Sequence, residues 1–231
     1  MDQGIGFAHF VQQTDMVGKA VLLLLLFLSL ASWYLIFTKA ISYRLAQRRV
    51  DTFLERFWEL DTTEAIGSLL SENHPRNAFA DLAHDAFKAV HHGKSHGLQK
   101  LAAAGGLSEF LTRALRNGIE QESARSENGL TILASAGSAA PYIGLLGTVW
   151  AIYHALVRIG LSGQGTLDKV AGPVGEALIM TALGLTVAIP AVLAFNAFNR
   201  RNRLWLAKLD EFAHDLYVLF SVGEGESRST R

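Results

Sequence analysis

The chain has no cysteine among its 231 residues, which excludes disulfides and every cysteine-based zinc or redox pattern. Its 21 basic and 21 acidic residues cancel, so a general electrostatic attraction to nucleic acid is not indicated. No phosphate-cradling glycine loop, nucleophile elbow or zinc-protease helix occurs at the required spacing, and nothing points to an enzyme or a cofactor. His91, His92 and His96 stand among Gly93, Ser95 and Gly97 in what reads as an exposed loop. No acidic residue lies immediately beside them, so they are a compositional signal and not a metal site.

Charge is also scarce in three long stretches, with Glu176 the one charged residue inside them. Ala20 to Thr38, with the run Leu22 to Leu26, gives about 19 uncharged residues, enough to span a hydrocarbon core of roughly 30 Å. Leu130 to Val157 and Val170 to Asn199 are longer, at about 28 and 30 residues, and can span with tilt or project beyond the bilayer. The first stretch is built of bulky side chains that suit lipid. The other two are rich in Gly, Ala, Ser and Thr, which let helix backbones approach closely and predict a packed interior. A cleaved signal peptide does not fit the first stretch: only Lys19 precedes it, with Asp2 and Asp15, and the apolar run continues through Trp33 to Phe37.

Lys39, Arg44, Arg48 and Arg49 follow the first span, and Arg200, Arg201 and Arg203 follow the third. Basic flanks are retained in the cytoplasm, so the N-terminal segment 1–19 is predicted outside and the C-terminus inside. The short connection 158–169 is then outside too. Trp33, Tyr34, Trp150, Tyr153 and Trp205 are candidate interfacial aromatics, and Trp150 and Tyr153 equally suit a helix–helix contact.

The segment 39–129, about 90 residues, is too long for a passive connection. Val50, Phe53, Leu54, Phe57 and Trp58, then Phe79, Leu82, Ala83 and Phe87, then Phe110, Leu111, Leu115 and Ile119 recur at helical spacing. They predict amphipathic helices, broken at His74-Pro75 and Gly105-Gly106. Arg113, Arg116, Glu120, Glu122, Arg125 and Glu127 read as a solvated or intersubunit face. A C-terminal helix 200–222 and a disordered tail 223–231 complete the chain. The fold class is an all-α membrane protein with three transmembrane helices and long cytoplasmic helical extensions.

Glu176 is the only formally charged residue between Lys169 and Arg200. An acidic side chain at the centre of a membrane helix costs on the order of 3 kcal/mol, so such residues face a neighbouring helix or a water path and mark function by default. The plainer alternative places it near the helix start, beside Pro173 and Gly175, where it reaches interfacial water.

The stretches APYIGLLGTVW, Ala140 to Trp150, and GEALIMTALGLTVAIPAVLAFN, Gly175 to Asn196, resemble the signature of the ExbB/TolQ branch of the proton-channel family that also contains MotA. The motif match is strong over about Ala134 to Asn199, and the three-span layout extends it to the whole chain. The resemblance implies a homopentameric pore in the bacterial inner membrane around the helices of a single-span partner, ExbD-like or TolR-like. Proton flow would drive a third protein. On the ExbB side this is a TonB-like transducer, energising uptake of iron-siderophore complexes and vitamin B12. On the TolQ side it is TolA, serving envelope integrity.

Carried over residue by residue, Glu176 matches the family's proton-path glutamate, and Thr148 and Thr181 match two pore-lining threonines. Their hydroxyls both donate and accept hydrogen bonds, although intrahelical back-bonding is common for threonine in apolar helices. Glu176 and Thr181 point roughly 140° apart on an ideal helix. Pro141 and Pro190 match family positions at which a backbone hydrogen bond is lost, shaping a cavity or standing as tolerated kinks. Gly144 and Gly147 allow close helix approach. The sequence departs from the family at Ala151, Ile152, Tyr153 and His154, and Pro173 is shifted by one position while the Glu-Ala-Leu register holds. These departures lean toward the ExbB side. A non-conducting scaffold, a channel that conducts alone and a flagellar stator remain as alternatives, the last disfavoured by three spans where four are expected.

Overall fold

The computed structural model describes residues 14–60, 62–72, 77–95, 106–162 and 167–229, and every regular element among them is an α-helix. In chain order these are α1, Met16–Trp58; α2, Thr63–Glu72; α3, Ala78–Ser95; α4, Gly106–Glu127; α5, Leu130–Ser162; and α6, Leu167–Ser229. Three side-chain caps start the helices. Asp15 Oδ1 accepts from Gly18 N at 2.8 Å, Thr62 Oγ1 from Ala65 N at 3.3 Å and Asn77 Oδ1 from Ala80 N at 2.8 Å. Each satisfies an amide with no partner inside its own helix.

Among the described residues, three helical segments are long and apolar enough to cross a membrane, carried by α1, α5 and α6. With 43 residues in α1 and 63 in α6, these helices run about 65 and 95 Å at 1.5 Å per residue. Both outlast the hydrocarbon. The change from apolar to charged composition at Asn199-Arg200 does not end α6: charged side chains are good helix formers, so the spans and their polar extensions are single helices. The helix also continues through Gly223 to Ser229, where the sequence predicted a disordered tail. The predicted connection 158–169 is helical at both ends, to Ser162 and from Leu167, and α3 runs through His91 and His92 to Ser95 where a loop was predicted. The predicted break at His74-Pro75 and the residues Gly105 and His96 lie outside the described residues.

The chain divides into two compact units, Met1–Lys39 with Gly129–Phe198, and Ala40–Asn128 with Asn199–Arg231. In the first, α1, α5 and the first part of α6 pack through small side chains. Ala136, Ala140, Ala177 and Ala191 are fully buried, with Val21, Leu25, Met180 and Val187 beside them. Of the apolar window in α1, 17% is buried within the chain, against 39% for the one ending in α5, as the contrast between bulky and small residues predicted. Leu23, Leu26, Phe27 and Leu30 point outward.

The second unit holds a conventional apolar core. Val50, Phe53 and Phe57 of α1, Phe79, Leu82 and Ala83 of α3, and Leu111 and Leu115 of α4 are buried as their spacing predicted, while Trp58 and Phe110 are exposed. Phe212 of α6 is the hub, with ring centroids 5.3 Å from both Phe57 and Phe79 and 6.4 Å from Phe53. Edge-on and tilted pairs of this kind add about 0.5–1.5 kcal/mol each beyond area burial. Helix α4 ends in a turn at Asn128-Gly129. Gly129 has φ +79°, a left-handed conformation suited to glycine, and a Cβ there would lie 2.9 Å from Leu35 Cδ2.

Candidate functional site: hydroxyls between α5 and α6

Thr148 is 7% exposed and its hydroxyl serves two helices. Thr148 Oγ1 lies 3.2 Å from Gly144 O in its own helix, 3.0 Å from Ala177 O in α6 and 2.6 Å from Thr181 Oγ1. The back-bond foreseen for threonine is thus one of three contacts. The hydroxyl carries one proton. When it is given to a carbonyl, Thr181 donates to Thr148; when it is given to Thr181, that hydroxyl must turn to another acceptor. Two directions of donation therefore exist along the pair. Ala177, whose carbonyl anchors the pair, directly follows Glu176 in α6. The Glu176 side chain itself lies outside those the structure describes, as does that of Pro173.

Glycine makes this contact possible. A Cβ on Gly144 would fall 2.6 Å from Met180 O and 3.1 Å from Gly184 Cα; one on Gly184 would fall 2.6 Å from Ala140 O. Backbones thus meet without side chains one turn from the hydroxyl pair. Gly147 serves a second contact, where a Cβ would lie 3.0 Å from Val21 Cγ1 of α1 and 3.3 Å from Met180 Cβ. The sequence motif yielded Gly144 and Gly147 but missed Gly184. Its signal was present as the spacing of Ala177, Thr181, Gly184 and Ala188, small residues three to four apart on one helix face. Pro141 and Pro190 lie inside α5 and α6, which run unbroken through them. Pro141 is half-buried next to Ala140.

Within two turns of Thr148 along α5, a polar cluster joins the start of α1 to α5. Trp150 Nε1 donates to Asp15 Oδ2 at 2.6 Å, and the Trp150 ring lies 4.4 Å from the His154 ring. His154 Nδ1 is 3.1 Å from Trp150 O, an atom that can only accept, so Nδ1 carries the proton. Burial acts to raise the Asp15 carboxyl, but the Gly18 amide, the Trp150 indole and the nearby His154 and Arg158 outweigh it. The group titrates below its ordinary 3.8. Trp150 is therefore a helix-to-helix contact, the second of the two roles its sequence position allowed.

The model of the MotA/TolQ/ExbB proton channel family matches residues 85–211, a range containing the hydroxyl pair, both glycines and Glu176. The biopolymer transport protein ExbB of Xanthomonas campestris pv. campestris is 40% identical over 232 residues, covering 95% of this chain and 90% of the relative. ExbB of Neisseria meningitidis is 40% identical over 206 residues, covering 88% and 92%. The Tol-Pal system protein TolQ of Pseudomonas aeruginosa is 32% identical over 210 residues, covering 90% of each. With a family match over more than half its length and near-complete coverage of these relatives, the chain belongs to the MotA/TolQ/ExbB proton channel family and is most like its ExbB members.

Proposed function

We propose that this chain is the ExbB-like subunit of a proton-driven motor in the bacterial inner membrane. With an ExbD-like single-span partner it uses the proton motive force to drive a TonB-like transducer, which energises uptake of iron-siderophore complexes and vitamin B12 across the outer membrane. The observation that carries the reading is the hydroxyl pair, Thr148 and Thr181, seated on the Ala177 carbonyl beside Glu176. Two linked hydroxyls in the interior of apolar helices support a role in passing a proton.

In this reading five copies surround the partner's helices in a central pore. Glu176 takes up and releases the proton, and partial desolvation suits it to that task. Thr148 and Thr181 carry the proton or hold water along the path, and Pro141, Gly144, Gly147 and Pro190 shape it. Basic residues after Thr38 and Asn199 support an N-terminus in the periplasm and long extensions of α1, α4 and α6 in the cytoplasm. Similarity to TolQ supports a second reading, the motor of the Tol-Pal envelope system.

Affinity purification of the tagged chain from native membranes, with mass spectrometry of its companions, tests the assignment. Recovery of an ExbD-like protein with a TonB-like one supports it. A TolR-like protein with TolA moves the chain to envelope maintenance, and recovery with no small single-span protein contradicts a two-component motor.

A further inference from the structure

Glu122 of α4 is a half-buried carboxylate held by a second helix. Trp205 Nε1 of α6 donates to its Oε1 at 3.2 Å. The Trp205 ring is itself fixed by edge contacts at 5.3 Å to Phe79 and 6.4 Å to Tyr43. About one turn away, four residues on along α4 and three back along α6, Asn202, 4% exposed, donates from Nδ2 to Ser126 O at 2.9 Å and accepts the Tyr43 hydroxyl. The contact between α4 and α6 thus has a fixed part, Asn202 with Ser126, and a titratable part, Glu122 with Trp205. Glu122 also lines a cavity of about 330 Å³ between α3 and α4, large enough for several water molecules. Water there gives the carboxyl a route for exchanging protons.

We propose that Glu122 is a proton-binding clasp between α4 and α6: taking up a proton from the cavity relieves the buried charge and stabilises the packed contact, and giving it up loosens that contact. The charged groups around it support this direction. From α3 the cavity presents Asp81, His84, Asp85 and Lys88. Arg125, on the same helix as Glu122, is 3.8 Å from Asp81, so part of its charge is committed there. From α1 comes Tyr43, which feels the Glu122 charge, and from α6 comes Trp205. Burial, aided by Asp81, raises the Glu122 carboxyl above its ordinary 4.5 and outweighs the opposing Trp205 bond and Arg125. The folded protein therefore binds this proton more tightly than the unfolded chain, and the stabilisation grows as pH falls from the raised value toward 4.5. A protonated carboxyl still accepts from the indole, more weakly than a carboxylate does, while protonation removes the larger cost of burying charge.

Infrared difference spectra of the full-length protein in nanodiscs, recorded across pH 4 to 8, test the clasp together with thermal unfolding at pH 7.5. The wild type should show a protonated-carboxyl band that titrates above the ordinary carboxylate range and is absent in Glu122→Gln. Glu122→Gln should unfold at or above the wild-type temperature at pH 7.5, and Glu122→Ala below it. Trp205→Phe, which keeps the ring packing and deletes the donor, should move the titration to higher pH. A band unchanged in Glu122→Gln, or a Trp205→Phe titration that stays in place or moves down, would overturn the proposal. So would a Glu122→Gln protein as unstable as Glu122→Ala.

Discussion

Gly144 and Gly184 meet so closely that a Cβ on either would lie 2.6 Å from a backbone carbonyl oxygen of the opposite helix, that of Met180 or of Ala140. A carbonyl in a helix cannot move aside as a flexible side-chain tip can, so alanine at either position must push α5 and α6 apart. Gly144→Ala and Gly184→Ala are each expected to destabilise the protein by about 1–3 kcal/mol, the usual cost of overpacking. Gly160, also helical but with nothing within 4 Å of an added Cβ, supplies the control. Gly160→Ala should be neutral or slightly stabilising, since alanine is the better helix former. Thermal unfolding in nanodiscs separates the three.

The hydroxyl pair makes a graded prediction. Thr148→Val removes the donor to the Ala177 carbonyl and the partner of Thr181 together, whereas Thr181→Val leaves the bond from Thr148 to Ala177 in place. Interhelical hydrogen bonds in membranes are worth about 0.6–2 kcal/mol, so both variants should fold, Thr148→Val being the less stable. Proton-driven growth on a siderophore as iron source should fall in both and further in Thr148→Val. Thr148→Ser, which restores the hydroxyl, should recover most of it. Equal growth of Thr148→Val and the wild type would reduce the pair to packing.

Much of this arrangement was legible in the sequence. The apolar run Leu22 to Leu26 and the small residues of α5 and α6 announced three spans and their unequal burial. The 3–4 spacing of Phe53, Phe57, Leu82 and Leu111 announced the second core. What stayed hidden depends on register between distant segments. Gly184 acquires its role only when it is set opposite Gly144, and Asp15 reaches Trp150 across 135 residues. Helix ends were misplaced where composition stood in for geometry. Arg200 and Gly223 change polarity or propensity without breaking α6: charged side chains are good helix formers, and packing of Leu209, Phe212, Leu216 and Phe220 holds the helix between them. No sequence signal distinguished Glu122 from the other charges of α4 before Trp205 was placed beside it.

Asp15 sets a pH limit at the start of α1. Its folded-state titration lies below 3.8, so its contribution is complete above that value and is lost as pH falls through the lower folded-state value. Asp15→Ala removes the cap on Gly18 and the acceptor of Trp150 together, and should cost about 0.5–2 kcal/mol at neutral pH. The loss should shrink under acid conditions, where the wild type forfeits the same interaction. Trp150→Phe should bring the Asp15 titration back toward 3.8. Unfolding temperatures recorded from pH 6 downward check both, and a constant difference between Asp15→Ala and the wild type at every pH would rule out the carboxylate as the cause.

Glu176 is the residue on which the proposed proton path depends. Proteoliposomes holding this chain with the proposed ExbD-like single-span partner, loaded with a pH-sensitive dye and given a proton gradient, measure the flux itself. Glu176→Gln is nearly isosteric and should purify with the partner in the same ratio as the wild type. The proposed proton path predicts that the wild-type complex dissipates the gradient and the Glu176→Gln complex retains it. Dissipation at the wild-type rate by an intact Glu176→Gln complex would contradict it and leave the chain a scaffold.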